Sequence, residues 1–291
     1  MSGAVGSMRA GVAAHPRPVR TRGAVRTVVL VVMNVAGLAA FLWPFALPAL
    51  TGDGRADGPI VLVVLVGSLG ALLFLELGRG GLGAKTVALL GVLGAAVVAL
   101  RLPGFVAGFS ALFIPVLVGG NAFGPSFGFL LGAIGMFASG LFVGGLGPWL
   151  PFQMVAVGWV GAGAGLLPRG PSTSWRVRIG ALAAYGFVAG YAYGGVMNLW
   201  SWPFVASGSA IGWDASGAAG DNLRRYASYY AATSFVWDTF RAIGNAALVV
   251  VLGRPLLGAL DRAARRMHLE LDAEPFERNG GERRASERTG A

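Results

Sequence analysis

The sequence predicts an all-α polytopic membrane protein with about eight transmembrane helices. Of its 291 residues, 55% are hydrophobic and only 12% are charged, whereas a soluble domain of this length needs more charge to cover its surface. The apolar residues form runs close to the length that crosses a bilayer. Arginines stand in the tails and in the short loops between these runs. The net charge of +10 therefore reflects membrane topology and not nucleic-acid binding.

The elements follow from the apolar runs taken in chain order. These runs cover 25–50, 59–77, 84–100, 104–118, 123–143, 151–167, 177–197 and 229–257. The run 104–118 is the shortest, and Pro115 is expected to kink it because proline removes a backbone donor from a helix interior. No convincing small-residue cleavage site follows the first run, which indicates a retained helix and not a signal peptide.

The charges between the runs predict the topology. An even number of spans puts both termini on one side of the membrane. The basic residues of that side are Arg9, Arg17, Arg20, Arg22, Arg26, Arg79, Lys85, Arg169, Arg176, Arg178, Arg254, Arg262, Arg265 and Arg266. The other side holds only Arg55, Arg101, Arg224 and Arg225. By the positive-inside rule, we expect both termini in the cytoplasm and the chain in the plasma membrane. The tail 1–24 is basic, and the tail 259–291 is expected to be largely disordered.

The sequence offers little for catalysis. It has no cysteine, and both histidines, His15 and His268, stand in the tails. No H-E-x-x-H metalloprotease motif is present. The loop GRGGLGAKT resembles a phosphate loop but fails, because Ala84 separates the last glycine from Lys85. We therefore expect no enzyme, no metal and no bound cofactor, with any ATP used by partner proteins.

Small residues recur at four-residue spacing in three predicted helices. The stripes are Gly91, Ala95 and Ala99; Gly124, Gly128 and Gly132; and Gly186, Gly190 and Gly194. Residues at this spacing share one helix face and let helix backbones approach closely in lipid. For the two glycine stripes we expect packing inside the protein. For the stripe at Gly91, internal packing and docking of a partner are both open.

Polar residues within or beside the spans are the candidates for ligand binding. Asp238 and Arg241 are the only charged pair well inside a predicted span, and they share a helix face with Asn245. A lone charge there costs about 2.5 to 3.5 kcal/mol on insertion scales, so the two residues either compensate each other or line the floor of a ligand site.

A second group of candidates stands at the outer ends of the spans. Asn198 continues the Gly186 stripe and Gln153 follows PWLPF, so both amides are expected to face the bundle, as ligand contacts or interhelical hydrogen bonds. Trp200 and Trp202 open a predicted outer loop 198–228, which also contains Trp213, Asp214, Asp221 and Arg224. The two tryptophans fit either an interfacial belt or a platform for a ring-bearing ligand.

From residue 84 onward the chain resembles the substrate-specific S component of energy-coupling factor (ECF) vitamin transporters. The matching segments are GVLGAAVVA, GGNAFGPSFGFLLGAIGMFASGL and GGLGPWLPFQMVAVGWVGAGAGLLP. The segments MNLWSWPF and SFVWDTFRAIGNA are similar to those of long actinobacterial members. The resemblance implies a six-helix core at 81–258. It also implies capture of a vitamin or related micronutrient, with cobalamin favoured, then a thiamine precursor or another ring-bearing compound.

The resemblance also gives the stripe at Gly91 a role. In that family the small-residue face of the first core helix docks on a transmembrane coupling subunit, which two ABC ATPases drive. Gly91, Ala95 and Ala99 are therefore the implied docking residues. The two helices expected within 25–80 depart from the usual six-helix pattern, and they either modulate docking or are accessory.

Two other classes of function remain open. A membrane scaffold without a ligand would use the small-residue stripes only for assembly. A stand-alone secondary transporter would need ion-coupling carboxylates in mid-membrane and ideally an internal repeat. Asp238 is the only such carboxylate, and the sequence has no evident repeat.

Overall fold

The computed structural model of the protein describes 31, 34–35, 37–42, 44–45, 84–102, 110–143, 145–169, 172–206, 208–214 and 216–289, with side chains up to residue 265. All regular secondary structure in these residues is helical, which confirms the all-α prediction. The predicted tail 1–24 and the predicted span 59–77 lie outside the described residues.

Beyond the helical residues between 31 and 45, the described part of the chain forms seven helices. They are α1 (Ala84–Arg101), α2 (Phe113–Phe123), α3 (Pro125–Val143), α4 (Leu150–Ala164), α5 (Trp175–Val205), α6 (Ala219–Thr233) and α7 (Phe235–Thr289). Helices α3 and α5, and α7 over Phe235–Arg265, are long and apolar enough to cross a membrane, while α2 and α4 are shorter apolar helices. The chain is thus an all-α membrane protein, and the count of eight spans stays a prediction.

Helix α2 differs from the prediction in its position. It begins at Phe113 and ends at Phe123, whereas the apolar run suggested 104–118. Pro115 consequently lies in the first turn, where its missing N–H has no intrahelical acceptor to lose, and the predicted kink is wrong. Gly124, at φ 98°, then separates α2 from α3, because few residues other than glycine adopt this conformation.

The predicted outer loop 198–228 is also wrong. Helix α5 continues to Val205 and α6 begins at Ala219, so the two helices together occupy more than half of the segment that we expected to be loop. The last predicted span, 229–257, is interrupted at Ser234, where α6 ends and α7 begins. Helix α7 runs to Thr289, through the tail for which composition predicted disorder, and its arginine, glutamate and alanine are strong helix formers.

The glycine stripe of α3 packs inside the protein, as predicted. A Cβ atom on Gly128 would overlap the Gly161 carbonyl of α4, and one on Gly132 would lie 2.5 Å from the Val157 oxygen. Gly124 instead faces the Arg169 guanidinium, 3.0 Å from where its Cβ would stand. The backbones of α3 and α4 therefore touch, and the apolar core forms around this contact. Its fully buried members include Leu117, Leu131, Met136, Leu150 and Leu182.

The glycine stripe of α5 is likewise internal. A Cβ atom on Gly190 would lie 2.7 Å from Cα of Ala242, and one on Gly194 would overlap the Asp238 carboxylate. Gly186 lies against Asn245, and a Cβ atom on this glycine would stand 3.5 Å from Cβ of the asparagine. This backbone contact between α5 and α7 confirms the prediction and brings the polar residues of α7 into the bundle.

The described N-terminal helical residues pack on α4. Phe41 is buried and meets the Phe152 ring edge to face at 5.1 Å. Asn34 accepts a hydrogen bond from the indole N–H of Trp159, and Gly37 lies against Val155. This part of the N-terminal extension is therefore built into the bundle on its α4 side.

Candidate functional site

The small-residue stripe of α1 faces away from the bundle. Gly91, Ala95 and Ala99 are all exposed, and a Cβ atom on Gly91 would meet no atom of the described residues within 4 Å. The opposite face of α1 makes the internal contacts: Val97 is fully buried and lies 3.0 Å from the Cβ position of Gly135 in α3. Of the three stripes, only the one on α1 is thus left open by the described part of the protein.

A buried ion pair lies where α7 begins. The Asp238 side chain is 2% exposed and forms a salt bridge with Arg241, so the predicted pairing is present. The Tyr230 hydroxyl of α6 donates to Asp238 Oδ2 at 2.9 Å. The Arg241 guanidinium lies over the ring of Tyr193, 5.1 Å from its centroid. Each charge is thus compensated by an opposite charge and by a further polar or aromatic group.

Helix α6 supplies tyrosines to this site. The helix is amphipathic and is not one of the apolar candidate spans. Burial raises the pKa of Tyr230 above its ordinary value, and the hydrogen bond to Asp238 raises it further. Burial likewise raises the pKa of Tyr226, whose hydroxyl donates to the Gly195 carbonyl. Both phenols are therefore protonated at neutral pH, and Tyr230 acts as a donor to the carboxylate.

Two predicted site residues carry buried amide atoms without a hydrogen-bond partner among the described residues. Asn245 donates to the Gly186 carbonyl at 3.1 Å, but its Oδ1 has no partner. Asn198 leaves its Nδ2 without one. Buried polar atoms are rarely left unsatisfied, so these two atoms are places where water or a ligand can bind.

Arg101 is a site residue that sequence reasoning missed. It ends α1, and its guanidinium donates to Ser139 Oγ at 3.0 Å, Met136 Sδ at 3.2 Å and Gln153 Oε1 at 3.4 Å. These contacts join the ends of α1 and α3 to the start of α4. The one signal in the sequence was an arginine directly after an apolar run, which we interpreted as a loop charge. Tyr193 lies within Coulombic range of Arg101 as well as of Arg241 and Asp238.

The two tryptophans do not form a shared platform. Trp200 contacts the start of α4, with 5.8 Å between its ring centroid and that of Phe152. Trp202 is fully buried, donates to the Ile211 carbonyl at 2.8 Å and packs against Tyr226. Residues two apart on a helix point in different directions, and both lie on α5, not in a loop. Trp202 thus anchors the outer segment, while Trp200 stays beside the helix that carries Gln153.

The segment between α5 and α6 is a folded cover over this end of the bundle. Asn222, at the start of α6, accepts from the Asp214 backbone N–H at 3.0 Å and donates to the Asp214 carbonyl at 2.8 Å. Trp213 donates to the Pro44 carbonyl of the N-terminal segment at 2.8 Å. Hydrogen bonds from the Ser216 hydroxyl and backbone N–H hold the pKa of Asp214 below its ordinary value. Hydrogen bonds therefore hold this loop both to α6 and to the N-terminal segment.

At the opposite end of the bundle, a second polar network is structural in character. Arg178 is 6% exposed and binds both carboxylate oxygens of Asp261, at 2.6 and 3.1 Å. Its Nε also donates to Asn121 at 2.7 Å, and Asn121 donates to the Ala164 carbonyl. Four helices, α2, α4, α5 and α7, meet through this chain of hydrogen bonds. No buried side-chain nitrogen or oxygen of this network lacks a hydrogen-bond partner.

An apolar crevice of about 120 Å³ lies between α4 and α5, lined in part by Trp159, Tyr185 and Tyr193. Its volume is well below the roughly 300 Å³ at which small-molecule pockets begin. The candidate ligand site is instead the polar cluster where α1 and α5 end and α4 and α7 begin. We call it the Arg101 site, consisting of Arg101, Gln153, Tyr193, Asn198, Trp200, Tyr230, Asp238, Arg241 and Asn245.

Comparison with known proteins identifies the family. The family model described as ECF transporter, substrate-specific component, matches residues 85–253, which is more than half of the chain. The match begins in α1 and ends in α7, so it includes the open stripe and the Arg101 site. No curated protein and no solved structure matches the sequence. The chain belongs to the family of substrate-specific components of ECF transporters.

Proposed function

We propose that this protein captures a vitamin or related micronutrient at the Arg101 site and delivers it to an ATP-driven ECF module. Cobalamin is the favoured ligand, followed by a thiamine precursor or another ring-bearing compound. The chain has no catalytic activity and binds no cofactor, since the partner ATPases use the ATP. As a member of its family it is a membrane protein that works with a coupling subunit and ATPases.

The proposal depends on the open face of α1. Gly91, Ala95 and Ala99 form an exposed strip of small side chains on a helix whose other face is packed in the core. In a bilayer, a strip of this kind allows a second helix to approach closely and gain dispersion contacts. The described N-terminal residues pack on α4 and leave this strip open. We assign it to the transmembrane coupling subunit.

Ligand capture is supported by the polar and aromatic groups of the Arg101 site. Gln153 and Asn198 offer amide groups, Trp200 offers a ring, and Asp238, Arg241 and Asn245 form the polar floor. Trp202 supports the cover and does not contact the ligand, because its ring is enclosed and its N–H is bonded. We place the Arg101 site on the outside and both termini in the cytoplasm, with the chain in the plasma membrane, because the charges between the spans favour this orientation.

Docking on the coupling subunit is tested by replacing small side chains of the stripe with larger ones. Ala95→Leu and Ala99→Trp should abolish uptake in cells that also contain an ECF module, while the purified variants bind radiolabelled cyanocobalamin, or whichever vitamin the wild type binds, with unchanged affinity. The physical reason is that packing distance to the coupling subunit changes and the ligand site does not. Ala184→Leu, on an exposed position of α5, is the matched control and should leave uptake intact.

Normal uptake together with a stable complex would refute docking at this face. Equal loss of binding and uptake would point to a role in internal packing. The ion pair of Asp238 also argues against a secondary transporter, because its carboxylate is already neutralised by Arg241. Ion-driven uptake by proteoliposomes that contain this chain alone, without ATPases, would overturn the ECF proposal.

A further inference from the structure

We infer that the ligand carries an anionic group, a carboxylate or a phosphate, and that Arg101 binds it. This inference rests on the proposed capture function and adds the chemical class of the ligand. Arginine presents five N–H donors in a planar fork, which matches the paired oxygens of either anion.

The first observation is the set of acceptors around Arg101. Its guanidinium contacts a hydroxyl, a thioether and an amide oxygen, all of them neutral, and the amide contact with Gln153 is long at 3.4 Å. No carboxylate of the described residues forms a salt bridge with it. A half-buried guanidinium in such surroundings keeps most of its charge uncompensated, which is unfavourable unless an anion binds.

The second observation is the contrast with the other arginines described at this end of the bundle. Arg224 pairs with Asp221, Arg225 with Asp214, and Arg241 with Asp238. Among the described residues Arg101 has no such partner, and its side chain is half-buried. The described residues thus neutralise these three arginines and leave Arg101 for a charge from outside.

The third observation is the net charge of the Arg101 site. Arg241 and Asp238 form a salt bridge, so their formal charges cancel. The charge of Arg101, whose described partners are all neutral, is left as a surplus of one positive charge. The amide Nδ2 of Asn198, another member of the Arg101 site, is a buried donor without an acceptor among the described residues. An oxygen-rich anion would satisfy both, since carboxylates and phosphates accept several hydrogen bonds at once.

The test compares anionic vitamins with neutral analogues on the purified full chain in detergent. The pairs are pantothenate and panthenol, biotin and biotinamide, and cyanocobalamin and dicyanocobinamide, which lacks the phosphodiester. We expect at least one anionic member to bind by titration calorimetry, and its neutral analogue to bind about 10- to 100-fold more weakly. The first two pairs report a carboxylate, and the third reports the nucleotide loop that carries the phosphodiester, from which the Arg101 variants separate the phosphate contribution.

The variant Arg101→Gln should lower the affinity for the anionic member by a similar factor, about 10- to 100-fold, and leave the affinity for the neutral analogue unchanged. Arg101→Lys keeps the charge and should lose less. Arg224→Gln, at an exposed and paired arginine, is the matched control and should change neither affinity. Gel filtration of each variant checks folding, and the wild-type comparison of each pair decides the question even if Arg101→Gln does not fold.

Each remaining outcome has a defined meaning. Equal affinity for both members of a bound pair, or an equal loss for both in Arg101→Gln, would overturn the inference. Binding of neutral members only would overturn it while leaving vitamin capture intact. Binding of no panel member to the wild type would overturn this inference and exclude cobalamin, the favoured ligand of the proposed capture function.

Discussion

Replacing Gly190 by alanine tests whether α5 and α7 are held together by direct backbone contact. The added methyl would stand 2.7 Å from Cα, 2.8 Å from N and 3.0 Å from Cβ of Ala242. Carbon atoms in favourable contact lie about 3.5 to 4.0 Å apart, so the two helices would have to separate by roughly 1 Å. Because two of the three atoms belong to the α7 backbone, no side-chain rotation can relieve the overlap.

Separation of the helices also strains the hydrogen bonds that cross this contact. Asn245 donates to the Gly186 carbonyl at 3.1 Å, and Arg241 donates to the Gly190 carbonyl at 3.5 Å. Overpacking of a well-packed interior costs about 1 to 3 kcal/mol, and a backbone overlap belongs at the upper end. Alanine returns about 1 kcal/mol through its higher helix propensity. The expected net loss in unfolding free energy is therefore about 2 kcal/mol.

Gly91→Ala is the matched control, because Gly91 is also inside a helix and its added methyl meets no described atom within 4 Å. The propensity gain is common to both variants and cancels in the comparison. Their unfolding free energies should then differ by about 3 kcal/mol, equivalent to roughly 6 to 12 °C in thermal midpoint. The midpoints can be measured by intrinsic tryptophan fluorescence of the purified proteins in one detergent, since the chain has 8 tryptophans.

A result with Gly190→Ala as stable as Gly91→Ala would contradict the backbone contact and with it the internal role of this stripe. A loss in both variants would instead show that the α1 face is packed against another part of the protein. Gly91→Ala should also leave uptake intact, because alanine still permits close helix approach.

Three further predictions concern the Arg101 site and the segment that covers it. Asp238→Asn leaves the Arg241 charge without its partner and should lower ligand affinity or the unfolding midpoint, whereas the double change with Arg241→Gln should recover part of the loss, as a calorimetric and thermal double-mutant cycle would measure. No recovery in the double variant would mean that the pair acts through something other than mutual neutralisation. Trp200→Ala should weaken ligand binding by about 2 kcal/mol if its ring is a hot spot. Trp202→Phe should instead cost about 1 kcal/mol of stability through the lost N–H bond to Ile211, with affinity unchanged, and the reverse pattern would exchange their roles.

The sequence predicted best those helices that are apolar along their whole length. The predicted runs 84–100 and 123–143 agree with α1 and α3 to within two residues at each end. Helix α6 escaped prediction because it is amphipathic, with Asp221, Arg224 and Arg225 ahead of its tyrosines, so a search for continuous apolar runs passes over it. When α6 is not recognised, its last residues are counted with the apolar run that follows, and the helix boundary at Ser234 is missed.

The candidate site divides in the same way between local and long-range contacts. The pairing of Asp238 with Arg241 was predictable because three-residue spacing in a helix fixes their proximity. Arg101 was not, because Ser139 and Gln153 lie 38 and 52 residues away in the chain. The different directions of Trp200 and Trp202 would have followed from helical geometry, but only with the knowledge that α5 continues past Met197.

Helix α1 links the two proposed activities physically. It is a single helix of 18 residues, about 27 Å long. The helix carries the open stripe on the face that points away from the bundle, and Arg101 at its C-terminal end. Ala99 stands two residues before Arg101, and a helix this short rotates and tilts as one body. We expect an anion bound at Arg101 to act on the same helix that carries the stripe. For this reason, ligand binding and docking should be measured together in every Arg101 variant, because loss of the guanidinium can change both through the same helix.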